Sequence, residues 1–469
     1  MLIVHKFGGT SLGDAECFAN VAEIIAEHSH PTDETPSRAN VVVVSAMSGV
    51  TSQLIAGARA ATDCRHTQYR KIKDDLTSRH LDVVKALLNR SPERFDIGSL
   101  VENRLYDLER LYRSMAVLGE LTVRGCDAVA SFGEQLSANI LAAVLRERAV
   151  RAQAISAAEL IVTDDSFGDA TPLMDQTRQR LQERIVPLVK GGELPVITGY
   201  IAATERGVPT TLGRGGSDYT AAILSAGLDA DEVWIWSDVD GILTADPNIV
   251  PHARTLAGLS YTEAANLACF GAEVLHPKAI RPVIKNGIPL RILNSFNPTH
   301  PGTLINETPG PGRQLLPAII STTGLAMIAI GSRDDTWTLQ MAARALRQLS
   351  AAGVDVLMFS QSFSEHGLNL VVHERDQLHC LNALGREFSD GCSLGATDKV
   401  ATVSVVGVPG WNKTGIVPHA FAALGKHGTR VIAVAQAATE HSVSFCIPQH
   451  QVADTVRFLH RELGLEGVE

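Results

Sequence analysis

Cysteine is scarce and unpaired in this sequence. The seven cysteines, Cys17, Cys64, Cys126, Cys269, Cys380, Cys392 and Cys446, fall at no CxxC spacing and are odd in number. That argues against a disulfide framework or a zinc site and predicts reduced structural thiols, with no metal held by protein ligands alone. The 16 histidines show no HExxH or similar ligand pattern. An excess of positive charge is also missing: 41 Lys plus Arg against 51 Asp plus Glu leave a net charge of −10. This balance excludes a general nucleic-acid binder but permits a local cationic pocket for a small anion. No apolar run is read as approaching the roughly 18 residues of a membrane span, so no membrane association is expected. No charged leader followed by an apolar stretch precedes the first strand, so a cytoplasmic location is expected. What remains is ordinary globular material, 45% hydrophobic and 20% charged over 469 residues, enough for two to four domains.

Two glycine turns stand out against that background. Leu212-Gly213-Arg214-Gly215-Gly216-Ser217-Asp218 runs straight into a helix start of small residues, and carries one fixed cation, one hydroxyl and one carboxylate. Glycines there let backbone N–H groups approach an anion, and Arg214 adds a planar fork suited to a carboxylate or phosphate. At the N-terminus, Leu2-Ile3-Val4-His5-Lys6-Phe7 reads as a short buried strand that breaks at Gly8-Gly9 before a helix capped by Ser11 or Asp14. Lys6 stands at the strand end, where parallel α/β sheets place ligands. The lysine precedes the glycines, so this is neither a Walker A loop nor a Rossmann GxGxxG.

These blocks, together with Ser131-Phe132-Gly133-Glu134 and Phe270-Gly271-Ala272-Glu273-Val274-Leu275-His276-Pro277, resemble the signature segments of aspartokinases, in the same order. Aspartokinases belong to the amino acid kinase superfamily, and the resemblance covers essentially the whole chain.

The organisation agrees with that resemblance. From residue 1 to about 306, apolar runs at 40–45, 152–156, 194–198, 232–237 and 288–293 alternate with helical stretches. Runs that are apolar almost throughout predict strands covered on both faces, hence an α/β fold with a mainly parallel sheet. Residues 63–119 read as a helical insertion whose charges form a solvated face. Residues 307–317, rich in proline and glycine, read as a linker. Beyond it lies an internal repeat. Gln361 and Glu365-His366 recur 75 positions later as Gln436 and Glu440-His441, and the same offset pairs Ala345 with Ala420, Leu349 with Leu424 and Gly353 with Gly428. The two units, 318–394 and 395–469, resemble βαββαβ ACT modules of α+β type; relatives in which modules exchange a strand imply interleaving as the alternative to two consecutive blocks.

The chemistry expected of the site follows the residue types. Phosphoryl transfer needs positioning and charge neutralisation. Lys6 can neutralise the transferring group, and Asp218 can orient Lys6 or act through Mg²⁺ and water. Gly8, Gly9, Gly215 and Gly216 can offer backbone N–H groups to phosphate oxygens. Arg214 can take the α-carboxylate of an amino acid and Glu134 its α-ammonium, although a glutamate beginning a helix there fits the helix dipole as well. The resemblance implies the rest. It places Thr51, Gly215, Gly216 and Ser217 in the aspartate site. It places Lys6, Phe7, Gly8, Gly9, Ser237, Asp238, Leu243 and Asn248 in the nucleotide site. Leu243 and Asn248 stand where some relatives carry Tyr and Arg, and Glu273 stands where many carry Lys.

The expected activity is ATP-dependent phosphorylation of the side-chain carboxylate of L-aspartate, with Mg²⁺. The alternatives are an amino-acid sensor with an inactive kinase domain or another carboxylate kinase of the superfamily. Gln361 and Gln436 are the expected regulatory residues, for threonine or else lysine, in a homodimer or dimer of dimers.

Overall fold

In the computed structural model of the chain, residues 1–29, 39–89, 92–269, 276–308, 316–332, 337–362, 367–388, 392–407, 415–436 and 442–466 are described. In chain order the first part comprises β1 (Leu2–Phe7), α1 (Ala15–Ser29), β2 (Ala39–Val44), α2 (Val50–Thr62), α3 (His66–Leu87), α4 (Glu93–Leu118), α5 (Val123–Glu147), β3 (Ala152–Ile155), β4 (Val162–Thr163) and α6 (Met174–Lys190). It continues through β5 (Leu194–Thr198), β6 (Ile201–Thr204), β7 (Pro209–Thr211), α7 (Gly216–Leu228), β8 (Glu232–Ser237), β9 (Gly258–Ser260), α8 (Tyr261–Cys269), α9 (Pro277–Asn286), β10 (Leu290–Asn294) and β11 (Thr303–Asn306). The second part comprises β12 (Ala318–Ser332), α10 (Leu339–Ala351), β13 (Met358–Ser362), β14 (Gly367–His373), α11 (Gln377–Glu387), β15 (Cys392–Val406), α12 (Ile416–His427), β16 (Ala433–Gln436), β17 (Ser442–Pro448) and α13 (Val452–Glu462).

The chain forms two compact units. One is Met1–Ile242, Ala257–Tyr261 and Val274–Pro311; the other is Leu243–Leu256, Thr262–Glu273 and Gly312–Glu469. The first is built on an eight-stranded sheet of order β3-β5-β2-β1-β8-β10-β11-β9. β1 pairs in parallel with β2 on one side and β8 on the other. The strand order therefore reverses at β1, the switch point outside which open α/β sheets bind ligands. Only β11 runs antiparallel to its neighbour β10. The Val41–Val44 run is completely buried, as expected for a strand covered on both faces.

The insertion is the antiparallel pair α3 and α4 packed on α2. Its apolar stripe buries Tyr69, Leu76, Val83, Val101, Leu108 and Tyr112. Contrary to the expectation of no long apolar run, α5 holds an 18-residue window apolar enough for a membrane by length and composition. That window is 83% buried, so α5 is the central core helix of this unit. At the N-terminus it is Asp14, not Ser11, that caps α1, its carboxylate accepting the Cys17 N–H at 3.0 Å. Ser11 is instead buried against Ser295, 2.8 Å away.

The second unit carries a six-stranded, wholly antiparallel sheet of order β13-β14-β12-β15-β17-β16. Its two central strands are 15 residues each and belong to both halves. Ala318–Thr322 of β12 pairs with Val406–Thr402, beside the strands that follow α12, while Met327–Ser332 pairs with Thr397–Cys392 beside those that follow α10. The sequence repeat is thus a spatial one: Ala345 and Leu349 on α10, and Ala420 and Leu424 on α12, are all buried against it. The 307–317 linker falls mostly outside the described residues.

Candidate active site

A cleft of about 590 Å³ in the first unit opens at the carboxyl ends of β1 and β2. Its lining includes Lys6, Gly9, Thr51, Glu134, Arg214, Gly215, Gly216, Ser217 and Asp218. The lining comes from segments far apart in sequence: those that follow β1, β2 and β5, the middle of α5, and the turn that starts α7.

Lys6 leaves β1 on the face opposite His5 and Phe7, toward α7, and its ammonium meets Asp218 Oδ1 at 2.5 Å. Asp218 sits in the first turn of α7, where the helix dipole favours a carboxylate. Gly215 is the N-cap of α7 at φ +71°, and a Cβ there would collide with His276 at the start of α9. Only glycine fits on both counts. Burial, and then the charges of Lys278 and Arg214, push the His276 pKa below its usual value, leaving a neutral imidazole over the turn. Arg214 itself is exposed at the cleft mouth.

Glu134 does not begin a helix. It lies in the middle of α5 and is 3% exposed, which sets aside the helix-dipole alternative. Gly133 lets α5 touch the loop after β2, since a Cβ there would stand 2.6 Å from the Ala46 Cβ. The Glu134 carboxylate therefore reaches the Ala46 N–H, but its Oε2 has no partner among the described residues. Burial raises the Glu134 pKa to about 8, against the smaller lowering effect of its backbone hydrogen bonds. A buried carboxyl with an unpartnered oxygen on a cleft wall is suited to a cationic ligand group. Thr51 lies in the first turn of α2, whose N-cap is Gly49, so its hydroxyl is not a cap and lines the cleft.

The other expected site residues lie elsewhere. The ring of Phe7 is fully buried and stacks on Trp236 with centroids 5.6 Å apart, which makes it a core residue. Gly8 donates to Trp236 O at 3.3 Å beside the end of β8, where Ser237 and exposed Asp238 follow. Leu243 and Asn248 belong to the second unit, in a segment where Thr244 O accepts from Ile319 N at 2.8 Å. Gln361, on edge strand β13, has a buried amide nitrogen without a partner among the described residues; Gln436, on edge strand β16, is exposed. Glu273, like Glu365-His366 and Glu440-His441, lies outside the described residues.

The sequence did not point to Tyr200 or Asp127. Tyr200 adopts φ +66° and lines the cleft, its backbone held by Thr220 Oγ1 and Leu212 N. Buried Asp127 on α5 accepts from Gly168 N at 2.8 Å and from Thr211 Oγ1 at 2.7 Å, tying β7 and the following glycine turn to the core. Tyr200's positive φ falls on a residue that gives no local signal for it, and Asp127 acts across 84 positions.

A switch-point sheet with a Lys–Asp pair between two glycine turns defines this unit as an amino acid kinase. Residues 1–294 match the model of the amino acid kinase family, and residues 403–463 match an ACT domain. The chain is 30% identical to aspartokinase 1, chloroplastic, of Arabidopsis thaliana, across 99% of this chain and 80% of that protein. It also spans about half of the bifunctional aspartokinase/homoserine dehydrogenase 1 of Zea mays, at 31% identity. Among solved structures it is similar to E. coli aspartokinase III in complex with aspartate and ADP, in the R-state (TM-score 0.82, 27% identity, covering 99% of this chain and 100% of that one). It is also similar to the same enzyme with lysine and aspartate in the T-state (TM-score 0.78, 26% identity, 99% of each chain). The chain belongs to the aspartokinases.

Proposed function

We propose that the chain transfers the γ-phosphoryl group of ATP to the side-chain carboxylate of L-aspartate, giving 4-phospho-L-aspartate and ADP. The observation that carries this reading is the cleft itself, which sets the Lys6–Asp218 pair opposite a buried, half-satisfied Glu134, with Arg214 at the mouth. One side suits a polyphosphate and the other an amino acid. The acceptor carboxylate is already ionised at neutral pH, so the nucleophile needs no general base and no proton is moved in the transfer. Lys6 neutralises charge developing on the phosphoryl oxygens, while Glu134 and Arg214 hold the two ends of the aspartate backbone.

Mg²⁺ fits this donor set as a companion of the nucleotide. It keeps most of its waters and needs few protein ligands, and the Asp218 carboxylate has acceptor capacity beyond its bond to Lys6. Bound there, the ion would neutralise phosphate charge. Ser237 and Asp238 are proposed to face the nucleoside. A coupled ATP–hydroxylamine assay with aspartate tests the reading: hydroxamate formation supports it, and ATP turnover with other carboxylates only would replace aspartate as the acceptor.

Feedback by an amino acid is part of the proposal. The unpartnered amide of Gln361 offers a donor to a bound amino acid. Threonine is the proposed effector. Lysine is the second reading, favoured by the lysine complex of E. coli aspartokinase III. Association of two copies, as a homodimer or dimer of dimers, is part of the proposal. A cytoplasmic location is part of the proposal.

A further inference from the structure

The charges of the α3–α4 insertion were expected to form a solvated face, and Arg79 departs from that. Position 79 stands three residues after buried Leu76 and four before buried Val83, on the border of the apolar stripe of α3. A side chain there runs along the packed surface toward the preceding turn and does not leave for solvent. The Arg79 guanidinium ends between two loops. Nη1 donates to Ser48 O at 2.8 Å and Nη2 donates to Gly13 O at 2.8 Å. Among the described residues no carboxylate lies within ion-pair distance of it, although, after the hydrogen bond from the Cys17 N–H, its charge adds to the lowering of the Asp14 pKa.

Those two carbonyls belong to the two walls of the cleft. Gly13 closes the turn that starts at Gly8-Gly9, on the phosphate side. Ser48 lies in the loop 45–49, which lines the cleft on the acceptor side and supplies the Ala46 N–H to Glu134. Neither loop is joined to the other by sequence, and each follows a different strand. A planar fork with two parallel donors fixes the distance and angle between two acceptors at once, which an ammonium cannot do.

We propose that Arg79 is a positioning residue for the transfer: its guanidinium fastens the turn after β1 to the loop after β2, so that phosphate and acceptor sites keep one spacing. The inference rests on the aspartate kinase reading for its catalytic consequence. Transfer needs near-attack geometry, and a displacement of about 1 Å can cost about 10²-fold in rate.

The test uses the full chain with Arg79→Ala and Arg79→Lys. Two readouts are taken: kcat and KM for aspartate in the hydroxamate assay, corrected for the folded fraction, and amide hydrogen exchange of peptides covering residues 9–14 and 45–51. Arg79→Ala is expected to lower kcat/KM about tenfold or more, most of it in kcat, and to speed exchange in both peptides. Arg79→Lys should fall between, since one ammonium reaches one carbonyl, and millimolar guanidinium ion should return the Arg79→Ala kcat/KM toward wild type. A corrected kcat/KM within about twofold of wild type, or unaltered exchange in either loop, would overturn the proposal. Should Arg79→Ala fail to fold, Arg79→Lys is judged on the same two readouts. A wild-type chain that makes no hydroxamate sinks the kinase reading alone, and the exchange comparison still decides the fastening.

Discussion

Lys6 Nζ stands 2.5 Å from Asp218 Oδ1, where the end of β1 meets the first turn of α7. Both side chains are mostly shielded, at 12% and 14% exposure. An ion pair so placed holds the ammonium on one line between the two glycine turns, and it leaves the remaining ammonium protons for a phosphate.

Lys6→Ala should therefore lower kcat by about 10²-fold or more while the protein stays folded, as expected for loss of one charge-stabilising donor. Purified Lys6→Ala with kcat near wild type would remove Lys6 from the reaction.

Arg214→Ala should weaken aspartate and spare ATP. Arg214 is exposed in the unliganded cleft, so its loss leaves no buried charge behind. The expected cost is that of charge-assisted hydrogen bonds, about 1.5–3 kcal/mol, or roughly a 10- to 150-fold rise in the aspartate KM. Nucleotide titration against the variant is the check: lost ATP affinity with an unchanged aspartate KM would move Arg214 to the phosphate side.

Glu134 makes aspartate binding depend on pH. Its carboxyl is neutral in the free cleft below about 8, because burial disfavours the anion, whereas an α-ammonium requires the anion. Binding therefore releases a proton, and the aspartate KM should fall as pH rises from 6 toward 8, then level. The free protein responds oppositely. The raised folded-state pKa means that unfolding releases a proton between about 4.5 and 8, so Glu134 lowers stability progressively across that window. Glu134→Gln should raise KM, flatten its pH profile and increase stability at pH 8. An aspartate KM that does not change with pH in the wild type would contradict this assignment.

Gly133→Ala should cost about 1–3 kcal/mol, since the new methyl overlaps the Ala46 Cβ and can be relieved only by parting α5 from the 45–49 loop. Urea unfolding gives the loss of stability, and the aspartate KM should rise with it. A variant as stable as wild type would show that α5 has room to move.

Gln361→Ala should abolish calorimetric heat from threonine. The amide nitrogen it removes has no protein partner to lose, so stability should hold within about 0.5 kcal/mol. No heat from either threonine or lysine in the wild type, or equal heat in the variant, would dismiss Gln361 as an effector ligand.

Much of this protein is local in origin. Branched apolar runs make β1, β2, β5 and β8. Gly8-Gly9 and Gly213 to Gly216 make the two glycine turns, and the 75-residue offset places Ala345 with Ala420 on equivalent helices. Each of these depends on neighbours within a few positions, which is what a sequence displays. Tertiary structure decided the rest. The raised pKa of Glu134 comes from α5 being the central core helix; its apolar composition is visible in the sequence, but the cleft wall on which Glu134 lies is set by packing. Tyr200 takes a left-handed conformation because Thr220 and Leu212 hold its backbone from a distance. Asp127 reaches Thr211 across the core, and Arg79 reaches Gly13 and Ser48 across the helical insertion. A polar side chain that bonds a distant backbone leaves no periodicity and no motif. It becomes visible only when packing has brought the partner within about 3 Å.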